Sequence, residues 1–398
     1  MEKLALYGGD PTSSHYLGYG HQDINEEDIA SVVATLKSNY LTCGPATETF
    51  EEAIKQATGA RFATAVANGT AALHVACLAA DIQPGDEVIV SPITFAASAN
   101  CVLYCGAKPV FADIDPDTWN ISPQSIRQKV TDKTKAIVAV DFSGVHVDSD
   151  EIKNICSEFN LVFIEDAAHS LGTKHDGRAI GSIADITTLS FHPVKTVTTG
   201  EGGAVTTNNQ ELAARIALFA KHGITRDHSL LHRPNEGPWY YEQLVLGYNY
   251  RISDIEASLG VSQIKRLPKF SKRRQELVAF YNREFSQIKE VSFQYDPSPE
   301  NTTRHLYVLR FNTEELGKDR RFIFEALQAE NIGVNVHYLP VYRLPYYENL
   351  GYAHDCCPEA NKYYSEAITL PLHCCLSDID AQNVVKAVRK VINYCLNK

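Results

Sequence analysis

Between Phe62 and Thr207 the chain repeats one alternation: a short apolar run, then an amphipathic segment of helical length. Each such unit buries a strand under a helix, and successive units give a mostly parallel sheet covered on both faces. The pattern places strands at Phe62–Ala67, Glu87–Val90, Val110–Asp113, Ala136–Val140, Leu161–Glu165, Ile186–Ser190 and Gly203–Thr207. Helices fall at Thr70–Ala80, Ala96–Tyr104, Pro123–Lys129 and Ser149–Phe159. A long helical stretch follows Ile252 and runs to about Gln287, ahead of the loop signal Pro297-Ser298-Pro299. Beyond it the sequence predicts a strand at Arg304–Phe311, a helix at Arg320–Glu330, a strand at Val334–Tyr338 and a final helix at Ile379–Cys395. A chain of 398 residues exceeds one small core. The expected division is a large α/β domain over 1–265, with the N-terminal segment, and a small C-terminal α+β domain over 266–398 that includes the connecting helix.

Charge narrows the partners. The net charge is −11 with no block of like charge, which argues against nucleic acid and an anionic membrane surface. A local cationic pocket can still hold an anionic ligand. The N-terminus MEKLALYGGD has no apolar core or cleavage site of a secretory signal, and Phe62–Ile82 is interrupted by Asn68, Gly69, Thr70 and His74. A cytoplasmic protein without a membrane span is expected. The ten cysteines include the adjacent pairs Cys356-Cys357 and Cys374-Cys375 rather than the spacing of zinc sites, so no metal is expected.

Parallel sheets bind ligands beyond the carboxyl ends of their strands. Three segments stand there. Asn68-Gly69-Thr70 opens a helix, where free N–H groups suit a phosphate; a plain N-cap by Asn68 or Thr70 is the alternative. Asp166 ends an apolar run, and a carboxylate there either caps the next turn or holds a cation, such as a protonated ring nitrogen. Ser190-Phe191-His192-Pro193-Val194-Lys195 places a lysine between a strand and the small-residue turn Thr198–Gly203. Spacing alone gives a phosphate-like site, a strand-end acid and a loop lysine.

The ordered set Asn-Gly-Thr, Glu-Asp-Ala-Ala-His, Ser-Phe-His-Pro-Val-Lys and Gly-Glu-Gly-Gly resembles the DegT/DnrJ/EryC1/StrS sugar aminotransferases. Leu41-Thr42-x-Gly44-Pro45, Pro92-Ile93-Thr94-Phe95, Gly247-Tyr248-Asn249-Tyr250-Arg251 and Val336-His337-Tyr338-Leu339-Pro340 extend the resemblance nearly end to end. It implies an aspartate-aminotransferase-like fold of the pyridoxal-phosphate type I class. It implies Lys195 as the lysine bonded to pyridoxal 5′-phosphate, Asp166 as partner of the pyridinium nitrogen, and His169 beside the ring. Phe95 would stack on the ring, although core packing explains an aromatic there equally well. Gly69, Thr70 and Ser190 would bind the phosphate, with Asn249 reaching it from the partner of a homodimer and Arg251 nearby. Tyr19, Asn39, Tyr40, Leu41, Thr42, Val336, His337, Tyr338 and Leu339 would line the sugar-nucleotide site, shared at Gly69, Ser190 and Asn249; His337 and Tyr338 could also be strand-end packing. Within the family the Lys195 loop is most similar to the branch of the pseudaminic acid pathway. That branch aminates a UDP-linked 4-keto-6-deoxy-N-acetylhexosamine, the β-L-arabino-hex-4-ulose, to the 4-amino altrosamine, with L-glutamate as donor.

Other readings are weaker. A related aminotransferase could use a 4-keto sugar of the aminoarabinose or GDP-perosamine kind. A nicotinamide enzyme is suggested by Tyr104-x-x-x-Lys108, but Gly106 and Pro109 break the helix that pair needs, and no dinucleotide-binding glycine fingerprint is present. Family dehydratases carry histidine where this chain has Lys195. A non-catalytic sensor would need an appended DNA-binding segment, and none is visible in the sequence.

Overall fold

Seven strands form the central sheet of the computed structural model, which describes residues 2–397. They are β1 (Phe62–Val66), β2 (Glu87–Val90), β3 (Lys108–Phe111), β4 (Thr134–Val140), β5 (Val162–Asp166), β6 (Ile186–Ser190) and β7 (Gly203–Thr207). Their order is β3-β2-β4-β5-β6-β7-β1. Every pairing is parallel except those of β7, which runs antiparallel to both β6 and β1. Val88, Ile89 and Val90 are all fully buried, as a strand covered on both faces requires. On one face, α1 (Gly69–Ala79) and α2 (Ala97–Tyr104) pack over Val138 and Ile164. On the other, α3 (Pro123–Lys129) and α4 (Ser149–Phe159) cover Ile137 and Phe163.

A second core surrounds an antiparallel sheet of β8 (Val291–Phe293), β9 (Tyr307–Phe311) and β10 (Ala367–Leu370). The helices α5 (Asp254–Lys265) and α6 (Leu267–Phe285) lead to it, and α7 (Arg320–Ala329) and α8 (Asp378–Leu396) flank it. Leu277, Tyr281, Leu309, Ile323, Leu327 and Val388 form its centre. Leu4 and Leu17 from the N-terminal segment join this core, while Val341, Tyr342, Tyr347 and Tyr363 cross back into the core of the large sheet.

Four boundaries differ from the sequence reading, each for a physical reason. β3 begins at Lys108 and includes Pro109, because an edge strand tolerates a residue without an N–H. The long helical stretch divides at Arg266, and Pro268 stands in the first turn of α6, where its missing donor is harmless. β9 starts at Tyr307 rather than Arg304, since the His305 N–H donates instead to Ser143 O at 2.9 Å. Val334–Tyr338 is not a strand: it makes one bridge, Asn335 to Thr369. Side chains take over there, with the Tyr363 hydroxyl donating to His337 O and Thr369 Oγ1 lying 2.8 Å from His337 Nδ1. No helix among the described residues is long and apolar enough to cross a membrane.

Candidate active site

The register of β7 assembles the site. Gly203 lies opposite Val66 of β1 on one side and Ser190 of β6 on the other. The end of β1, the start of α1 and the end of β6 therefore meet at one edge of the sheet. Contact is backbone-close: a Cβ at Gly203 would lie 2.4 Å from Asn68 O, and one at Gly69 would lie 3.0 Å from Ser190 Cβ. Asn68 caps α1, accepting the Ala71 N–H at 2.8 Å. The cap and the anion site are compatible, because Asn68 uses the Ala71 donor and leaves the first N–H groups, at Gly69 and Thr70, beside Ser190.

Asp166, at the end of β5, is buried. Its Oδ2 accepts from the Ser98 hydroxyl at 2.6 Å and its Oδ1 from the Ala168 N–H at 3.1 Å. Burial pushes its carboxyl up from the ordinary range, while these donors and the charge of Lys195 pull it down. Among the described residues it makes no ion pair, so the carboxylate holds hydrogen-bonding capacity for a cationic donor. Lys195, half-buried, follows a turn closed by its N–H on His192 O at 2.9 Å. Burial pushes its amine down to about 8, against the pull of Asp166.

Three buried histidines surround this pair. His169 Nδ1 accepts the Ser143 N–H at 3.2 Å, which fixes its proton on Nε2, 3.4 Å from the Tyr338 hydroxyl. Its ring lies 4.6 Å from that of His305. Burial, then the charge of Lys195, holds His169 and His305 well below the usual histidine range and His337 at about 3. All three are neutral at pH 7. Phe95 is 63% exposed, with its ring 6.4 Å from Tyr338. Tyr19 lies 5.3 Å ring to ring from His337, and its neighbour Gly20 faces Val194 in the lysine loop.

The other expected lining residues are exposed or half-buried. Asn39, Tyr40, Leu41 and Thr42 are exposed, on a turn tied to the start of α5 through Leu41 O and the Thr42–Ser253 bridge. Val336 lines a surface groove with Arg320, Phe324 and Ser365, while Leu339 is half-buried further along. Asn249 is exposed and bridges Lys221. Two residues near the centre escaped the sequence reading, Ser98 and His305. Ser98 carried a signal, since it lies four residues beyond Thr94, in the first turn of α2 after the loop that leaves β2. His305 carried none, because its segment reads as the start of a strand.

The donor set fits pyridoxal phosphate: a helix start with a hydroxyl for the phosphate, a buried acid for the ring N–H, an exposed aromatic face and a lysine of lowered basicity. A protein of Bacillus subtilis, the spore coat polysaccharide biosynthesis protein SpsC, is 40% identical over 95% of this chain and 98% of its own. The UDP-4-amino-4,6-dideoxy-N-acetyl-beta-L-altrosamine transaminase of Campylobacter jejuni is 37% identical over 89% and 92%. The PLP form of Spr1654 from Streptococcus pneumoniae, assigned as a sugar aminotransferase, superposes with a TM-score of 0.87 at 32% identity, covering 96% of this chain and 100% of that one. The family model described as the DegT/DnrJ/EryC1/StrS aminotransferase family matches residues 22–389. The chain belongs to that family and is a pyridoxal-phosphate-dependent sugar aminotransferase.

Proposed function

We propose that this enzyme transfers the amino group of L-glutamate to UDP-2-acetamido-2,6-dideoxy-β-L-arabino-hex-4-ulose, giving the 4-amino altrosamine nucleotide and 2-oxoglutarate. The observation that carries the chemistry is the pairing of Lys195, with an amine titrating near 8, and the buried Asp166 in a pocket of neutral histidines. Bound pyridoxal phosphate supplies the electron sink that lets an α-proton leave. Lys195 would hold the cofactor, and its Nζ would be the group that moves the α-proton. Asp166 keeps the ring nitrogen protonated, with Ser98 and Ala168 aiming the carboxylate. His169, with its proton on Nε2, would stand beside the ring. Phe95 covers one ring face, and Gly69, Thr70 and Ser190 hold the phosphate.

The choice of sugar rests on the altrosamine transaminase at 37% identity. SpsC, at 40%, favours a second reading in which the acceptor is another nucleotide-linked keto-sugar of polysaccharide synthesis. Asn39–Thr42 and Asn249 are exposed, as residues that complete the partner's site in a homodimer would be on a single chain. A cytoplasmic location is part of the same proposal. A panel of UDP-, GDP- and dTDP-linked keto-sugars with glutamate, with products identified by mass and NMR, tests the substrate. Preference for the UDP 4-keto sugar supports the proposal. Preference for a GDP-sugar, or amination at C3, overturns it.

A further inference from the structure

Behind the sheet from Asp166 lies a second buried titratable cluster. Glu165 shares the face of Phe163, whereas Asp166 shares the face of Ile164. His146 Nδ1 lies 3.1 Å from Asp141 Oδ1 and 3.2 Å from Glu165 Oε1. Both carboxylates are fully buried and the imidazole nearly so. Asp141, Glu165 and Asp166 thus bring three buried carboxyls to adjacent strand ends, and His146 is the cation in contact with the first two. Beyond it, the His175 ring lies 4.8 Å away and carries Asp150 at 3.5 Å and Asp176 at 3.7 Å on its solvent side.

Asp141 also grips the turn that presents the cofactor residues. Its N–H donates to Asp166 O at 3.1 Å, and its Oδ2 accepts the Ser170 hydroxyl at 2.6 Å. Its Oδ1 accepts the Val147 N–H at 3.0 Å, closing the loop from which Ser143 reaches His169. Residues 141–147 therefore clasp residues 166–170 at three points. The carboxylate in that clasp is buried, and removing its cationic partner would leave a buried charge uncompensated.

We infer that His146 is a positioning residue for this active site, acting through Asp141 on the turn that carries Asp166 and His169. The inference rests on the proposed roles of Asp166 and His169. Removing the imidazole leaves the Asp141 and Glu165 carboxyls facing each other with no cation between them, loosens the Ser170 link and lets the turn drift. The cofactor is then held less well and its ring nitrogen is met less squarely, while the sugar site is untouched. The direction of titration agrees: burial opposes the charge of His146, but Asp141 and then Glu165 outweigh it and hold the imidazole up to about 10.

The test compares His146→Gln, Ser170→Ala, their double variant and Asp166→Asn in the full-length enzyme. We expect His146→Gln to lower kcat about tenfold and weaken pyridoxal phosphate binding to the cofactor-free enzyme by a similar factor, with KM for the keto-sugar within about twofold. Ser170→Ala should act in the same direction, and the double variant should be no worse than the stronger single. Nitrogen-15 histidine spectra at pH 8 should show a doubly protonated ring that is lost in His146→Gln. Unchanged kcat and cofactor affinity, additive losses, a neutral ring, or sensitivity of activity to EDTA pointing to a metal between the carboxylates would each overturn the inference. If His146→Gln does not fold, Ser170→Ala decides alone, and unaltered kcat and cofactor affinity in it count against the inference. Normal turnover in Asp166→Asn defeats the underlying assignment; impaired Asp166→Asn beside an unaltered His146→Gln defeats only this inference.

Discussion

The Ser98 hydroxyl donates to Asp166 Oδ2 at 2.6 Å, across 68 residues of sequence, from the first turn of α2 to the end of β5. That bond orients a buried acid whose charge no ion pair compensates. Asp166→Asn keeps the shape and the Ser98 contact but removes the charge that keeps the ring nitrogen protonated. We expect kcat to fall about 10²- to 10³-fold with the far-ultraviolet circular dichroism unchanged. Ser98→Ala should fall between that variant and the wild type. Steady-state kinetics on both variants check the order, and a Ser98→Ala worse than Asp166→Asn contradicts it.

The amine of Lys195 titrates near 8 because burial disfavours its charge. The neutral amine is the nucleophile, so the rate of pyridoxal phosphate uptake by the cofactor-free enzyme should rise with pH and level off above about 8. Stopped-flow absorbance across pH 6.5 to 9.5 measures this. A rate that falls over the range means the lysine is not the group being titrated.

Gly69 leaves little room for a side chain, since a Cβ would lie 3.0 Å from Ser190 Cβ and push it back slightly. Gly69→Ala should widen the gap between the α1 start and Ser190, weakening cofactor affinity by about tenfold with little loss of thermal stability. Equilibrium titration gives the affinity and a melting curve the stability. An unchanged affinity removes this turn from the phosphate site.

His146 links stability to pH. Its value in the folded chain, about 10, lies above its ordinary value of 6.5, and Glu165 is likewise raised, by burial and then by the charge of Asp141. Groups raised on folding bind protons more tightly in the native state. The contribution of Glu165 is whole only below pH 4.5, while that of His146 is whole below pH 6.5 and drains away as pH climbs toward 10. The melting temperature should therefore decline over that window, and less steeply in His146→Gln. Parallel profiles of the two proteins would mean that His146 is already neutral.

Much of this was legible in the sequence because it is local. The strand–helix alternation fixes which residues reach the carboxyl edge, so Asn68-Gly69-Thr70, Asp166, Ser190 and Lys195 could be picked out before any coordinates. The resemblance supplied the chemistry that spacing left open. What stayed hidden is non-local. His305 and the Asp141–His146–Glu165 cluster become neighbours of the site only through tertiary packing, and no periodicity marks them. The single bridge at Asn335 shows the converse, where a strand-like stretch gives its hydrogen bonds to side chains from β10 and from the helix carrying Tyr363. Asn39–Thr42 and Asn249 carried readable motifs, yet one chain alone gives them no role, and the proposed homodimer is what would supply one.

The proposed homodimer can be tested by complementation. Lys195→Ala disables its own site, and a disruptive change at Asn249 should disable the partner's. In a mixed dimer one site carries both defects and the other neither, so co-refolding should restore activity toward about a quarter of sites. No recovery, where wild type refolds and exchanges subunits, would place Asn249 in its own chain's site.

The central claim is that Lys195 holds the cofactor. Borohydride reduction of the loaded enzyme, followed by peptide mapping, tests it most directly. A pyridoxyl group on Lys195, absent from Lys195→Ala together with all turnover, is the expected result. A reduced adduct on another lysine, with Lys195→Ala still turning over normally, would contradict the account.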